Sequence, residues 1–397
     1  MKIGILLPYK ENFSPEYPGA VSLFVYETTK KSKYKKDIIV FGNTNFKKKF
    51  KIKYKNINLT RQLLGSQTKN YVNKFIGLQN KYKFTIIEVH NRPSYIKQLS
   101  KKSPNSIYSL YFHNDPLSMD GSKTIEERKG LLKICYKIIF NSNWSKKRFL
   151  EGLENKFVNS NKLAVFFQSA KKGHISNIIK KKNWITFVGK LNRAKGYDVF
   201  VKSIQKILRK YPNWRAKIIG DEKREKINLK HKNADLLGFL NHEEVLKVFK
   251  NSSIAVACSR WEEPFGRTSL EASANGCAVI ITNKGGLPET ITNARILSNL
   301  SVKSLTKEIN FLIKNENIRK KLQKQSIENF YLTHKFVTNM IDNYRDEKLK
   351  LNKFYIEKKV KKSLRILHIT NFNERLDGRL FFNTGRRINN GFIRQGH

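Results

Sequence analysis

EEPFGRTSLEASANGCAVIITNKGG, residues 262–286, holds a loop, a short helix and a strand in one stretch, and that order decides the fold. Pro264 disfavours the α region at Glu263, so this acid sits on extended backbone, and Gly266 lets the main chain come close to a ligand. Residues from Arg267 to Asn275 suit a helix, Gly276 is a natural terminator, and CAVIIT (277–282) is an apolar run of strand length. Glu271 is thereby expected in the opening turns of the helix, near free N–H groups that favour an anion such as phosphate.

The same alternation runs outward in both directions. IGILLP (3–8), DIIVFG (37–42), FTIIEVH (84–90), SIYSLYFH (106–113), KIIFNS (137–142) and LAVFFQ (163–168) are apolar runs separated by amphipathic segments. Such runs are buried parallel strands with crossover helices. The pattern restarts after the basic stretch from Lys171 to Lys182 with WITFVG (184–189), AKIIG (216–220), ADLLGFL (234–240), SIAVACS (253–259) and CAVIIT. Two doubly wound domains follow, with ligands gathered at the strand ends. The expected division is 1–169, 170–350, a basic linker at 351–362, and 363–397 as the incomplete start of a further Rossmann-like domain, or a tail docked on the main body.

At 397 residues the chain is long enough for two cores, and 26 Phe and 16 Tyr supply the buried surface that a disordered chain lacks. Cys135, Cys258 and Cys277 form no CxxC pair, which argues against a disulfide scaffold or a zinc site and fits a reducing cytoplasm. The N-terminus is too short in apolar residues for a signal peptide, and no apolar run reaches ~18 residues. Lysine and arginine number 79 against 31 acids, a formal charge of +48. A field of that sign attracts phosphates, anionic lipid or nucleic acid, although a codon bias toward Lys and Asn explains much of it equally well.

An acid at the mouth of a cleft and a second beside a phosphate-friendly helix end are suited to the hydroxyls of a sugar and of a ribose. The wider stretch EPFGRTSLEASANGCAVIITNKGGLPE (263–289) resembles the E-x7-E signature of retaining glycosyltransferases of family 4. That resemblance implies an α/β GT-B fold, two facing Rossmann-like domains with parallel sheets and a cleft between them. It also implies Glu263 on the donor sugar, Glu271 on the nucleotide ribose, and the backbone of Phe265, Gly266 and Arg267 on sugar and diphosphate. FVGKLNRAKGYDVFVKSIQKI (187–207) resembles the family's phosphate-gripping loop, which makes Lys190 and Lys195 the paired cations. Many relatives carry Arg where Lys190 stands, and Lys cannot make the same forked contact, which leaves the role of Arg193 open.

YPGAVSLFVYE (17–27) is similar to the family's glycine loop, with Gly19-Ala20 in place of the usual Gly-Gly, and YFHNDP (111–116) to its strand-end histidine segment. His113 is thus the second catalytic candidate beside Glu263, and His90 in EVHNRP (88–93) its neighbour. FNSNWSKKRF (140–149) resembles the last segment before the domain crossover, whose usual Pro-Asn-Gly is absent around Gln168-Ser169-Ala170. No Asp-x-Asp pair exists, so metal-independent stabilisation of the leaving diphosphate by Lys190, Lys195 and helix ends is expected, with no cofactor. The implied activity moves a sugar from a nucleotide-sugar to a hydroxyl of a glycan or lipid-linked acceptor with retention, as in polysaccharide and cell-envelope biosynthesis.

Two other classes compete. The runs KKSKYKK (30–36) and KKKFKIKYK (47–55) interleave lysine with Tyr34, Phe50 and Tyr54, as a nucleic-acid surface would, but no RRM, KH or zinc pattern accompanies them. No nucleic-acid partner is therefore expected, and the same runs suit peripheral contact with an anionic membrane face. A sugar-nucleotide epimerase or a phosphorylase on the same fold is the remaining alternative.

Overall fold

The computed structural model describes residues 2–59, 66–178, 181–225 and 227–360. The chain divides into one compact unit, Met1–Asp342, and a second, Asn343–His397. Within the first unit lie two parallel sheets. Strands β1 (Ile3–Leu6), β2 (Ile38–Gly42), β3 (Tyr54–Asn56), β4 (Ile86–His90), β5 (Ile107–Phe112), β6 (Lys137–Phe140) and β7 (Leu163–Val165) pair in the order β3-β2-β1-β4-β5-β6-β7. Strands β8 (Lys182–Val188), β9 (Arg215–Ile219), β10 (Ala234–Leu236), β11 (Ser252–Ala257), β12 (Ala278–Thr282) and β13 (Ala294–Leu297) pair as β10-β9-β8-β11-β12-β13.

The crossover helices of the first sheet are α1 (Ala20–Lys31), α2 (Gln67–Tyr82), α3 (Ser94–Lys102), α4 (Ile125–Ile134) and α5 (Asn143–Leu150). The second carries α6 (Tyr197–Lys210), α7 (His242–Asn251), α8 (Arg267–Ala274), α9 (Val302–Lys314) and α10 (Glu316–Glu328), and α11 (His334–Val360) follows. The central strands are mostly apolar because both faces are covered: β4 and β12 are buried at every residue, Glu88 and His90 of β4 included. On the second sheet, one face packs Ile185, Phe187, Phe200 and Ile218, and the other Val279, Ile281, Phe249 and Leu287.

Strand order reverses between β1 and β4 in the first sheet and between β8 and β11 in the second. Ligands of open α/β sheets bind outside the carboxyl ends of strands at such reversals. The loops leaving β1, β4, β8 and β11 lead to Gly19, Asn91, Lys190 and Glu263 respectively.

Two short strands lie outside the apolar runs of the sequence. β3 (YKN) and β13 (ARIL) lie at sheet edges, are largely solvent-facing, and so lack an apolar run. β3 is bordered by exposed lysines at 47–49, 51, 53 and 55, a pattern that discourages edge-to-edge pairing. Helix α11 continues to Val360, through most of the stretch read as a linker. The expected domain start at 363–397 lies outside the described residues.

Candidate functional site

Glu263 follows β11 on an extended turn whose backbone is braced from behind. Gly286 N–H donates to Glu263 O at 2.6 Å, and a Cβ at Gly285 (φ +58°) would stand 2.2 Å from the same carbonyl. Gly285 is therefore glycine because the loop bearing Glu263 lies on it. Next door, the turn after β8 (Arg193–Lys195) is capped by Asn192, whose Oδ1 accepts Lys195 N–H at 3.1 Å. Arg260 N–H and Trp261 N–H donate to Ala194 O at 2.9 and 3.1 Å, which zips this loop to the one leaving β11. The Lys195 ammonium consequently pairs with the Glu263 carboxylate, whose side chain is 12% exposed.

A cavity of about 250 Å³ opens at this pair, lined by Ala20, His113, Asn141, Gly189, Lys195, Glu263, Pro264, Phe265, Gly266 and Arg267 among others. Its walls come from both sheets. His113 is buried at the end of β5, held by Asn91, whose Oδ1 accepts the backbone N–H of His113 at 3.1 Å. Its Nε2 lies 3.0 Å from His90 Nδ1, while its own Nδ1 is buried with no hydrogen-bond partner. Burial, aided by the positive charge of Arg267, pushes the His113 imidazole down to about 3. The ring is neutral at physiological pH, with Nδ1 left to exchange a hydrogen bond with a ligand hydroxyl.

Glu271 is the fifth residue of α8, within its opening turns. It is buried, and its Oε1 lies 2.8 Å from His242 Nε2 and 2.7 Å from Arg267 Nε. Burial alone would raise this carboxyl, but the charges of Arg267 and His242 outweigh it and hold the pKa below the usual carboxylate value. Glu271, His242 and Arg267 line a second, larger cavity of about 920 Å³ between α1 and α7, and Arg267 borders both. His242 opens α7 behind a capping box formed by Asn241 and Glu244. The N-H-E-E spacing is the local signal that could have placed it.

Phe265 is buried, and Gly266 (φ +107°) is the residue before α8, where a Cβ would meet Leu287 Cδ2 at 2.4 Å. Two expected site residues stand apart. Lys190 is exposed and lines neither cavity, whereas Lys195 lines the smaller one. Gly19 also lines neither; a Cβ there would collide with Glu11 Oε1 at 2.2 Å, so a carboxylate rather than a ligand demands glycine. Glu11, which sequence reasoning missed, accepts Ser22 N–H at 2.9 Å and Ser22 Oγ–H at 2.8 Å, anchoring the first turn of α1. Ala20 beside it does reach the smaller cavity.

Residues 169–329 match the family model described as glycosyl transferases group 1. Spore coat protein SA of Bacillus subtilis (strain 168) is 26% identical over 62% of this chain and 73% of its own length. The glycogen synthase of Mycobacterium tuberculosis is 30% identical over 28% of this chain and 28% of its own length. Among solved structures, Anabaena Alr3699/HepE in complex with UDP and glucose superposes with a TM-score of 0.68, at 17% identity, over 88% of this chain and 99% of that one. A glycosyltransferase from Rickettsia africae ESF-5 gives a TM-score of 0.68 at 19% identity, over the same shares. Residues 169–329 are thus similar to the group 1 glycosyl transferases, and the chain has the α/β GT-B fold of two parallel-sheet Rossmann-like domains that these solved structures share.

Proposed function

We propose that the chain transfers a sugar from a nucleoside-diphosphate donor to an acceptor hydroxyl with retention of anomeric configuration. The observation that carries this reading is the run of groups along one cleft: His113, Glu263 and Lys195 around the smaller cavity, then Arg267, then buried Glu271 beside His242. A sugar, a diphosphate and a ribose follow one another in a nucleotide-sugar in the same order. Residues 170–350 would bind the donor, and residues 1–169 the acceptor.

Glu263 positions the sugar hydroxyls and Glu271 accepts from the ribose hydroxyls; neither acts as a nucleophile. The C1–O bond to the diphosphate breaks, and its electron pair stays on the phosphate oxygen. The acceptor oxygen bonds to C1 on the same face, and its proton passes to the departing phosphate. Lys195 and the start of α8 meet the charge that accumulates there, which supports chemistry without a metal. His113, neutral, hydrogen-bonds a sugar hydroxyl through Nδ1.

The HepE structure holds UDP and glucose, and a UDP-sugar is accordingly the donor proposed here. A glycan or lipid-linked acceptor in cell-envelope assembly suits the similarity to a spore coat protein and to proteins of a cps region. Among the described residues no helix is long and apolar enough to cross a membrane, and contact with an anionic bilayer through the exposed lysines at 30–36 and 47–55 is part of the proposal. The test is transfer from a panel of UDP-sugars, with the anomeric proton of the product followed by NMR in the presence and absence of EDTA. An inverted product, or activity abolished by EDTA, would reject the mechanism.

A further inference from the structure

Arg267 opens α8, and its side chain is only 10% exposed. Its Nε forms an ion pair with Glu271 Oε1 at 2.7 Å, and Nη1 and Nη2 are buried with no acceptor. A buried guanidinium is ordinarily satisfied by a forked pair with an anion, and leaving its donors unmet is costly. This one borders both cavities. Burial depresses His113 on the side of the smaller cavity and His334 on the side of the larger, and the charge of Arg267 adds to both. Lys190, by contrast, is exposed and lines neither.

We infer that the Arg267 side chain supplies the second positive charge on the donor's leaving diphosphate, the share that sequence resemblance assigns to Lys190. The inference rests on the donor reading proposed above. A ligand with its sugar against Glu263 and its ribose against Glu271 must carry its diphosphate past Arg267. The terminal nitrogens then gain the acceptors they lack. As the C1–O bond breaks, the electron pair left on the phosphate oxygen falls within reach of a fixed planar fork. Lys195, already paired with Glu263, serves as a point charge beside it.

The experiment measures binding of UDP and of uridine by calorimetry to the parent chain and to Arg267→Met, Arg267→Lys and Lys190→Met, each checked for folding by thermal unfolding. Uridine reports the Glu271 end alone, and the ratio of the two affinities isolates the diphosphate. Arg267→Met is expected to weaken UDP by about 10- to 100-fold while uridine binding changes less than about threefold. Arg267→Lys, which keeps the charge, should recover part of the loss and serves if the Met variant does not fold. Lys190→Met should change UDP binding by less than about threefold. Equal loss of UDP and uridine in Arg267→Met would reduce Arg267 to a prop for Glu271 and overturn the inference. So would a large UDP loss confined to Lys190→Met. A parent that binds neither UDP nor ADP, GDP, CDP or dTDP would instead fail the donor reading itself, and this inference with it.

Discussion

Glu289 of the second domain caps a helix of the first: its carboxylate accepts the backbone N–H of Trp144 at 2.8 Å and that of Asn143 at 2.6 Å. These are the opening residues of α5, and an anion there meets unpaired N–H groups. Ser142 Oγ adds a bond to Pro264 O at 2.6 Å, next to Glu263. Glu289→Ala should lower stability by about 1 kcal/mol and raise the donor KM severalfold with less effect on kcat. Thermal unfolding and initial rates check this; an unchanged KM would show that Ser142 alone sets the approach of the loops.

The two acids of the signature should separate kinetically. Glu271→Ala is expected to raise the nucleotide Kd by about 10-fold or more, because it strips the buried partner from both Arg267 and His242. Glu263→Ala should lower kcat by about 100-fold and change nucleotide Kd little. Parent-like activity in both variants would reject the assignment.

Gly266 and Gly77 make opposite predictions for the same substitution. At Gly266, φ of +107° and a Leu287 methyl 2.4 Å from the added Cβ mean that alanine should cost about 2 kcal/mol or more and impair nucleotide binding. Gly77 lies within α2 with nothing within 4 Å of its Cβ position. Gly77→Ala should stabilise by about 0.5–1 kcal/mol and leave activity alone. Urea unfolding of the two variants distinguishes them.

Acid should destabilise the fold through two buried histidines. His113 is pushed down to about 3 and His334 to about 4 by burial, with Arg267 adding to both. Unfolded, each binds a proton near 6.5, so between that pH and the folded value the unfolded chain holds more protons. Stability is fully present above about pH 6.5 and falls toward pH 4, by up to ~1.4 kcal/mol per pH unit for each histidine. His113→Asn should flatten the slope measured by urea titration across this window; an unchanged slope would place His113 outside the linkage.

Donor capture should depend on salt. The larger cavity is lined by Lys30, Lys31, Lys48, Lys171, Lys172, Lys247 and Lys250 against Glu16, Glu27, Glu243 and Glu271. Such a surplus draws in a diphosphate over about a Debye length and is screened by ions. UDP affinity should fall several-fold between about 0.01 and 0.3 M NaCl, with uridine affinity nearly constant. Parallel behaviour of the two ligands would remove the field from the binding step.

Much of this molecule was legible along the chain. Among the described residues every strand but β3 and β13 coincides with an apolar run, and α8 begins and ends where Pro264, Gly266 and Gly276 require. The convergence of the β11 loop with the β8 loop was implied by the E-x7-E resemblance, and the Lys195–Glu263 pair realises it. Those features are local: periodicity, turn residues and spacing act within a few residues of each other. Edge strands β3 and β13 carry only a weak signal because exposure removes the apolar run.

Only the tertiary structure decided which charges face the cleft. Lys190 and Lys195 look equivalent in sequence, yet one points to solvent and the other to Glu263. Arg267 reads as a helix-opening residue, and its Nη1 and Nη2 are left buried without acceptors only once the walls of both domains have enclosed it beside Glu271. Burial and electrostatic partnership depend on groups far apart along the chain, whereas the period of a strand depends on its neighbours alone.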